Sequence, residues 1–269
     1  MNILILGDIV GPSGREAIIK NLPDLIEKQK LDFVIINGEN AADEGVGITK
    51  INADELFNAG ADVITTGNHV WDQKETMNFI SSEKRLLRPL NLTKGSPGDG
   101  YGIFNSKNNK KVAVLNLMGN IFMKKSEDVF IEAKKFILNV KLKKEADFIV
   151  VDFHGEITSE KMAIGYLFDG KATMVVGTHT HVPTSDHRIM EKGTAFQTDI
   201  GMCGDYNSVI GMNRDNSLKK FFKDPSAVKH YPALGKATIS GLMVEADNKT
   251  GLAKKVEPII IGGALESGK

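Results

Sequence analysis

Cysteine is nearly missing from this chain. Cys203 stands alone among 269 residues, so no internal disulfide can form, which fits a reducing compartment. Neither sign of charge is in excess: Lys+Arg and Asp+Glu each number 34. A protein that holds long duplexes through their phosphates carries a basic surplus, so its absence argues against stable duplex nucleic-acid binding. A small phosphate ester is not excluded, because bound metal ions can supply positive charge locally. No apolar run approaches the roughly 18 residues that a membrane span needs. The run Ile3–Leu6 is too short for a secretory leader, and no basic segment precedes it. Repeats, low-complexity linkers and composition shifts are also missing. The expectation is a soluble, cytoplasmic protein with no membrane partner, folded as one domain over 1–269.

What is present is a regular α/β pattern. The hydrophobic fraction is 41% and the charged fraction 25%, ordinary for a globular chain long enough to bury a sizeable core. Ile3–Leu6, ending in Gly7-Asp8, suits a buried strand. Gly11-Pro12-Ser13-Gly14 reads as turn chemistry. Arg15–Gln29 follows with apolar residues at helical spacing, and Pro23 is expected to kink or split that helix. Phe33–Ile36 and Val63–Thr66 are further strands, separated by a helix near Asn52–Asn58 that Gly60 ends. Asp72–Ile80 reads as a helix. Gly100–Phe104 and Lys111–Leu117 flank Lys107-Asn108-Asn109-Lys110 as a hairpin. Ser126 is the expected cap of a helix with Glu127 and Asp128 in its first turn and lysines towards its end. Strands Phe148–Val151 and Met174–Val176 enclose a helix over Thr158–Phe168. Strands near Ile189–Met190, Thr194–Thr198, Thr238–Glu245 and Val256–Ile261 follow. Such interleaved β-α units and hairpins predict a mixed, layered α/β core.

Five segments share one design: an apolar strand, a small turn often with glycine, then ligand-type residues. Asp8 follows the first strand, Glu39 and Asn40 the second, and Asn68 and His69 the third. His154 follows a later strand, and His179 and His181 the next. If these strands are parallel neighbours, their carboxyl ends converge on one edge, where α/β sheets bind ligands. Taken singly, each has a plainer reading. Asp8 could cap a helix, Asn37-Gly38-Glu39-Asn40 could be a turn, and a lone histidine is usually structural. His179-Thr180-His181 is stronger, because alternate strand residues share a face. Carboxylates, amide oxygens and imidazoles together suit Fe, Mn, Zn or Co. Even with His69 set aside the candidates exceed one tetrahedral shell, and two ions sharing a carboxylate would use them.

Gly7-Asp8, Gly67-Asn68-His69, His154 and His179-Thr180-His181 resemble the ordered motifs of calcineurin-like metallophosphoesterases. Gly7-Asp8-Ile9-Val10-Gly11, Asn37-Gly38-Glu39-Asn40, Asp152-Phe153-His154-Gly155-Glu156 and the run Gly177–Thr184 are similar to the bacterial YmdB-like branch. The wider superfamily has Asp-x-His where this chain has Val10 in the His position, and a bridging Asp where this chain has Glu39; Asn40 then stands in for the missing histidine. The resemblance implies a four-layer α/β/β/α sandwich with two mixed sheets, two Fe or Mn ions (Zn as an alternative) and a homo-oligomer. It also implies phosphodiesterase activity that includes 2′,3′-cyclic nucleotides.

On that reading Glu39 bridges two metals. Asp8, Asn40 and His181 complete one site; Asn68, His154 and His179 complete the other. A hydroxide between the metals attacks phosphorus. His69 is left uncoordinated as the general acid, with orientation of a ligand as its plainer role. Two other functions share these residues: a phosphomonoesterase such as a nucleotidase, and a metal-containing regulatory binding protein with little turnover. His187 and His230 read as structural or surface residues. Cys203 is placed in a loop without a catalytic role. Met118-Gly119-Asn120 reads equally as substrate rim or loop, and Lys141–Lys144 as a solvated helix end.

Overall fold

The structure, a computed structural model, describes residues 1–265; the last four residues of the expected 1–269 domain lie outside the described residues. The strands are β1 (Asn2–Leu6), β2 (Asp8–Ile9), β3 (Phe33–Asn37), β4 (Val63–Thr65), β5 (Tyr101–Asn105), β6 (Lys111–Met118), β7 (Phe148–His154), β8 (Met174–Thr178), β9 (Arg188–Ile189), β10 (Ala195–Gln197), β11 (Met202–Cys203), β12 (Ile239–Ala246) and β13 (Ala253–Ile261). The helices are α1 (Gly11–Lys28), α2 (Lys50–Asn58), α3 (Thr76–Phe79), α4 (Val129–Asn139), α5 (Thr158–Phe168) and α6 (Arg214–Phe221). One sheet has the order β13-β12-β1-β3-β4, a second β5-β6-β7-β8-β10-β9, and β11 pairs with β2. Within the sheets β1, β3 and β4 run parallel, as do β6, β7, β8 and β10, with antiparallel strands outside them.

Strand alternation sets the layers. Ile3, Ile5, Phe33, Ile35 and Val63 of the first sheet meet Val112, Val114, Phe148, Val150, Met174 and Val176 of the second in one buried cluster. The intervening residues Leu4, Leu6, Val34, Ile36 and Ile64 pack under Ile18, Leu22 and Leu25 of α1 and Ala53 and Leu56 of α2. On the far side Ala113, Leu115, Ile149, Val151 and Val175 pack under Val129, Ala133 and Phe136 of α4 and Ile164 and Phe168 of α5. The outcome is helix, sheet, sheet, helix, the expected four-layer mixed α/β fold.

Towards the carboxyl ends the inner faces change chemistry while keeping their alternation. Asn37 follows Ile35, Thr65 follows Val63, Asn116 follows Val114, Asp152 and then His154 follow Val150, and Thr178 follows Val176. All six are fully buried.

Local departures from expectation have identifiable causes. Helix α1 starts at Gly11, so Gly11–Gly14 is its first turn. Pro12 sits at the helix start, where its missing N–H costs nothing. Gly14 lets the helix approach β11, since a Cβ there would fall 2.0 Å from the Cys203 carbonyl oxygen. Pro23 does not split α1. It lies on the exposed face, where water can reach the carbonyl it leaves unbonded. The helix expected over Asp72–Ile80 shrinks to α3, with turns before it, and the Thr76 hydroxyl is tied to the Ile48 carbonyl at 2.7 Å. Asp128, not Ser126, caps α4 by accepting from the Ile131 N–H, and the last turn of α4 holds no basic residue. Helix α6, capped by Asn213, and strand β11 were not anticipated. Cys203 is therefore a strand residue paired with Ile9 rather than part of a loop, and burial pushes its thiol up to about 12.

Candidate metal centre

The parallel strands deliver their ends to one edge, as the sequence pattern anticipated. Asp8 opens β2 directly after β1, Glu39 and Asn40 follow β3, and Asn68 and His69 follow β4. His154 is the last residue of β7 rather than the first after it, and His179 and His181 follow β8.

Around His154 Nε2 the donors bunch. Glu39 Oε2 lies 2.5 Å away, Asn68 Oδ1 3.1 Å and His179 Nδ1 3.1 Å. Ligand atoms of Glu39, His154 and His179 all fall within 4.8 Å of one another. Donors on one ion with bonds of about 2.1 Å stand roughly 3.0–3.4 Å apart, so the two 3.1 Å spacings suit a shared ion, while Glu39 and His154 are in direct hydrogen-bond contact. Beside this group, Asp8 Oδ2 accepts from the His179 N–H at 3.0 Å, and Asp8 Oδ1 lies 3.5 Å from His154 Nδ1. A bridge between Val10 and Asn40 carries Asn40 alongside the end of β2. Asp8, Glu39, Asn40 and His181 are all buried.

Two further details select the nitrogens that could bind. His181 Nδ1 is 2.8 Å from the Ile210 carbonyl. A carbonyl only accepts, so Nδ1 carries the hydrogen and Nε2 is left free. His179 Nε2 is 3.1 Å from the Glu156 carboxylate, which turns Nδ1 towards His154.

Among the described residues the buried oxygens Asp8 Oδ1 and Asn40 Oδ1 have no hydrogen-bond partner, while Glu39 Oε2 is met by His154 Nε2. Orphaned buried acceptors are costly unless a cation or donor answers them. These oxygens beside three imidazoles are the donor set of a borderline transition metal, so the residues present fit metal ions. The electrostatics agree. Burial pushes Asp8 up to about 6. Burial would also raise Glu39, but His154 facing it holds the carboxyl down at about 2. His154, pushed down by burial, is held up at about 9 by Glu39 and Asp8. Burial and neighbouring His154 drive His179 down to about 3.

The backbone here is strained. His179 has φ 100° and His181 φ 65°, conformations that cost an L-residue about 1–3 kcal/mol each. Asp199 holds the loop between them. Its Oδ2 accepts from Thr180 N–H at 3.1 Å and Thr180 Oγ1 at 2.7 Å, and is paired with Lys161 Nζ at 2.6 Å. Both charged side chains of that pair are 1% exposed. Gly67 leaves room for the imidazole: a Cβ there would fall 2.2 Å from His154 Cδ2.

His69 stands apart from the bunched donors. Its backbone N–H reaches Glu39 Oε1 at 2.7 Å, while its ring turns to the mouth, with Nδ1 2.6 Å from Asp72 Oδ2. Lys124 Nζ approaches the same carboxylate at 3.3 Å. Asn120 serves the loop, accepting from the Val129 N–H and donating to the Glu127 carbonyl. His187 is half-buried and His230 exposed, both apart from the cluster. Sequence reasoning missed Asn37, Thr65, Asp152, Thr178, Lys161 and Asp199. The available signal was a polar residue continuing the inward alternation of an otherwise apolar strand.

Two mixed sheets with a cation-seeking edge at their carboxyl ends define a protein of the metallophosphoesterase type. The sequence profile of the family described as "YmdB-like protein" matches residues 4–259, and the chain belongs to that family. It is 45% identical over 261 residues to the 2′,3′-cyclic-nucleotide 2′-phosphodiesterase of Bacillus subtilis (strain 168), covering 97% of each. Among solved structures it is similar to a novel phosphatase from Mycoplasma pneumoniae, at 38% identity and TM-score 0.88, covering 97% of this chain and 93% of that one. It is also similar to a hypothetical protein from Thermus thermophilus, at 35% identity and TM-score 0.88, covering 97% of this chain and 99% of that one.

Proposed function

We propose that this chain is a binuclear-metal phosphodiesterase that hydrolyses small phosphodiesters, 2′,3′-cyclic nucleotides among them. The observation that carries the reading is the bunching of Glu39, Asn68 and His179 on His154 Nε2 beside the orphaned buried oxygens of Asp8 and Asn40. The 45% identity to a 2′,3′-cyclic-nucleotide 2′-phosphodiesterase along nearly the whole chain supports the substrate class.

Glu39 would be shared by two ions; Asn68, His154 and His179 would hold one of them, and Asp8, Asn40 and His181 the other. Fe or Mn suits this mixed set best, with Zn the alternative. When bound, such ions lower the pKa of water and neutralise charge developing on phosphorus. The chain's own part is orientation and proton transfer. Asp72 holds His69 Nδ1, which leaves Nε2 free to meet a substrate. As hydroxide adds to phosphorus and the ester P–O bond breaks, the imidazolium of His69, its Nδ1–H held by Asp72, would give its Nε2 proton to the departing oxygen. We take 1–269 as one domain, because α1, α2, α4 and α5 pack on the same pair of sheets. The working context is the cytoplasm, as a homo-oligomer, with no duplex nucleic acid or membrane as partner. Neutral net charge and a buried free thiol fit this, and among the described residues no helix is long and apolar enough to cross a membrane.

The test is turnover of a 2′,3′-cyclic nucleotide by protein reloaded with Mn or Fe, beside Asp8→Asn and His69→Ala, together with bis-aryl and mono-aryl phosphates. Metal-dependent cleavage of the cyclic and bis-aryl esters, lost in both variants, is expected. Preference for the mono-aryl ester would mean a phosphomonoesterase. Two bound ions with no turnover of any ester would mean a regulatory binding protein.

A further inference from the structure

We propose that Asp152 is a positioning residue of the metal centre, acting through Thr178 on His154 and through Asn37 on Glu39. This rests on the two-metal reading and adds a residue to it. Asp152 is fully buried between the sheets. Its Oδ1 accepts from Thr178 Oγ1 at 2.7 Å; its Oδ2 accepts from Asn37 Nδ2 at 3.0 Å and Thr65 Oγ1 at 2.5 Å. Among the described residues no lysine or arginine pairs with it, in contrast to Asp199 with Lys161.

Counting hydrogens fixes what this arrangement does. Ionised Asp152 can only accept, so the single hydroxyl hydrogen of Thr178 is committed to Asp152 Oδ1. The Thr178 oxygen then presents lone pairs to His154 Nδ1, 3.0 Å away. Nδ1 must therefore carry a hydrogen. As a metal ligand the imidazole is neutral and has only one, so with Nδ1 protonated it is Nε2 that would give up its proton and offer the lone pair, and Nε2 is the atom around which Glu39, Asn68 and His179 converge. The second arm runs through Asn37. Because its Nδ2 donates to Asp152, its Oδ1 is turned to accept the Glu39 N–H at 3.0 Å. One carboxylate thus sets the ligand nitrogen of His154 and anchors the backbone of Glu39. The two arms come from opposite sheets, since Asn37 lies in β3 and Thr178 in β8, so the same group also fixes the separation of the sheets beneath the ions.

Thr178→Val keeps the volume and removes the relay, Thr178→Ser keeps the hydroxyl, and Asp152→Asn places a donor in the hub. The full chain, stripped of metal, is titrated with Co(II), following heat and the visible d–d absorption, with circular dichroism and Tm recorded for each protein. Wild type is expected to bind two ions. Thr178→Val should bind one of them about 10–100-fold more weakly, the usual cost of losing a partner behind a histidine ligand, with an altered spectrum for that ion; Asp152→Asn, which also disturbs the Asn37 arm on Glu39, should weaken that ion as much and the other less. Thr178→Ser should stay within about threefold of wild type. Two wild-type ions with unchanged affinities and spectra in Thr178→Val and Asp152→Asn would refute the positioning role alone. So would a Thr178→Ser defect as large as that of Thr178→Val, or an equal loss at both sites tracking a lowered Tm. A wild type that binds no Co(II) would remove both this role and the two-metal reading.

Discussion

The inner faces of the two sheets are one surface with two ends, and the ends obey different rules. At one end Ile35, Val63, Val114, Val150 and Val176 interlock as an apolar core. Two residues further along the same strands, Asn37, Thr65, Asn116, Asp152 and Thr178 are just as buried. In the core end a side chain is judged by its volume, because dispersion and exclusion of water are blind to direction. At the site end it is judged by where its hydrogens and charge point, because an unanswered polar atom in a low dielectric is expensive. Burial alone therefore does not separate scaffold from site in this molecule; the chemistry of the buried atom does.

Substitutions at each end sharpen the contrast. The largest effect is expected from Glu39→Gln, which removes the charge that the two proposed ion sites would share. Metal content measured by mass spectrometry should fall below two per chain, and diesterase activity by more than the roughly 10–100-fold typical of losing an outer partner. At the mouth, His69→Ala should keep both ions and lose roughly 10²–10⁴-fold in turnover; loss of an ion instead would make His69 a ligand. Lys161→Met leaves Asp199 buried without its cation and should cost about 3–5 kcal/mol in denaturant unfolding. At the apolar end, Ile35→Ala should cost about 2–5 kcal/mol yet leave the folded fraction binding two ions, which is where the two ends part company. The smallest effect belongs to Asp186, away from both ends. Burial would raise its carboxyl, but bonds from Thr184, Thr198 and Arg188 hold it below the usual carboxylate range. A depressed carboxyl adds stability above its unfolded pKa and loses it as pH falls through the folded value. Asp186→Asn should therefore flatten the acid limb of stability against pH, by about 1 kcal/mol or less for a partly exposed group.

The convergence of the candidate ligands on one edge was legible because each follows an apolar run that reads as a strand, and parallel strands bring their carboxyl ends together. The layers were legible from alternation. What escaped is instructive. Asp152 and Thr178 sit inside strands, where a single sequence cannot show that the buried polar atoms of two sheets meet. Asp128 overtook Ser126 as the cap of α4 because Ser126 Oγ is taken by the side-chain amides of Asn91 and Asn120. Strand β11 is only two residues long, and its pairing with β2 depends on contacts nearly two hundred positions apart in sequence. Helix α6 has a polar, weakly patterned sequence, and its cap at Asn213 was the one cue available.

The most direct test of the central claim is a crystal of the protein loaded with Mn(II), with anomalous scattering measured at the manganese edge. Two peaks are expected, one among Glu39, Asn68, His154 and His179, the other among Asp8, Glu39, Asn40 and His181. A single peak, or manganese bound away from these side chains, would contradict the account.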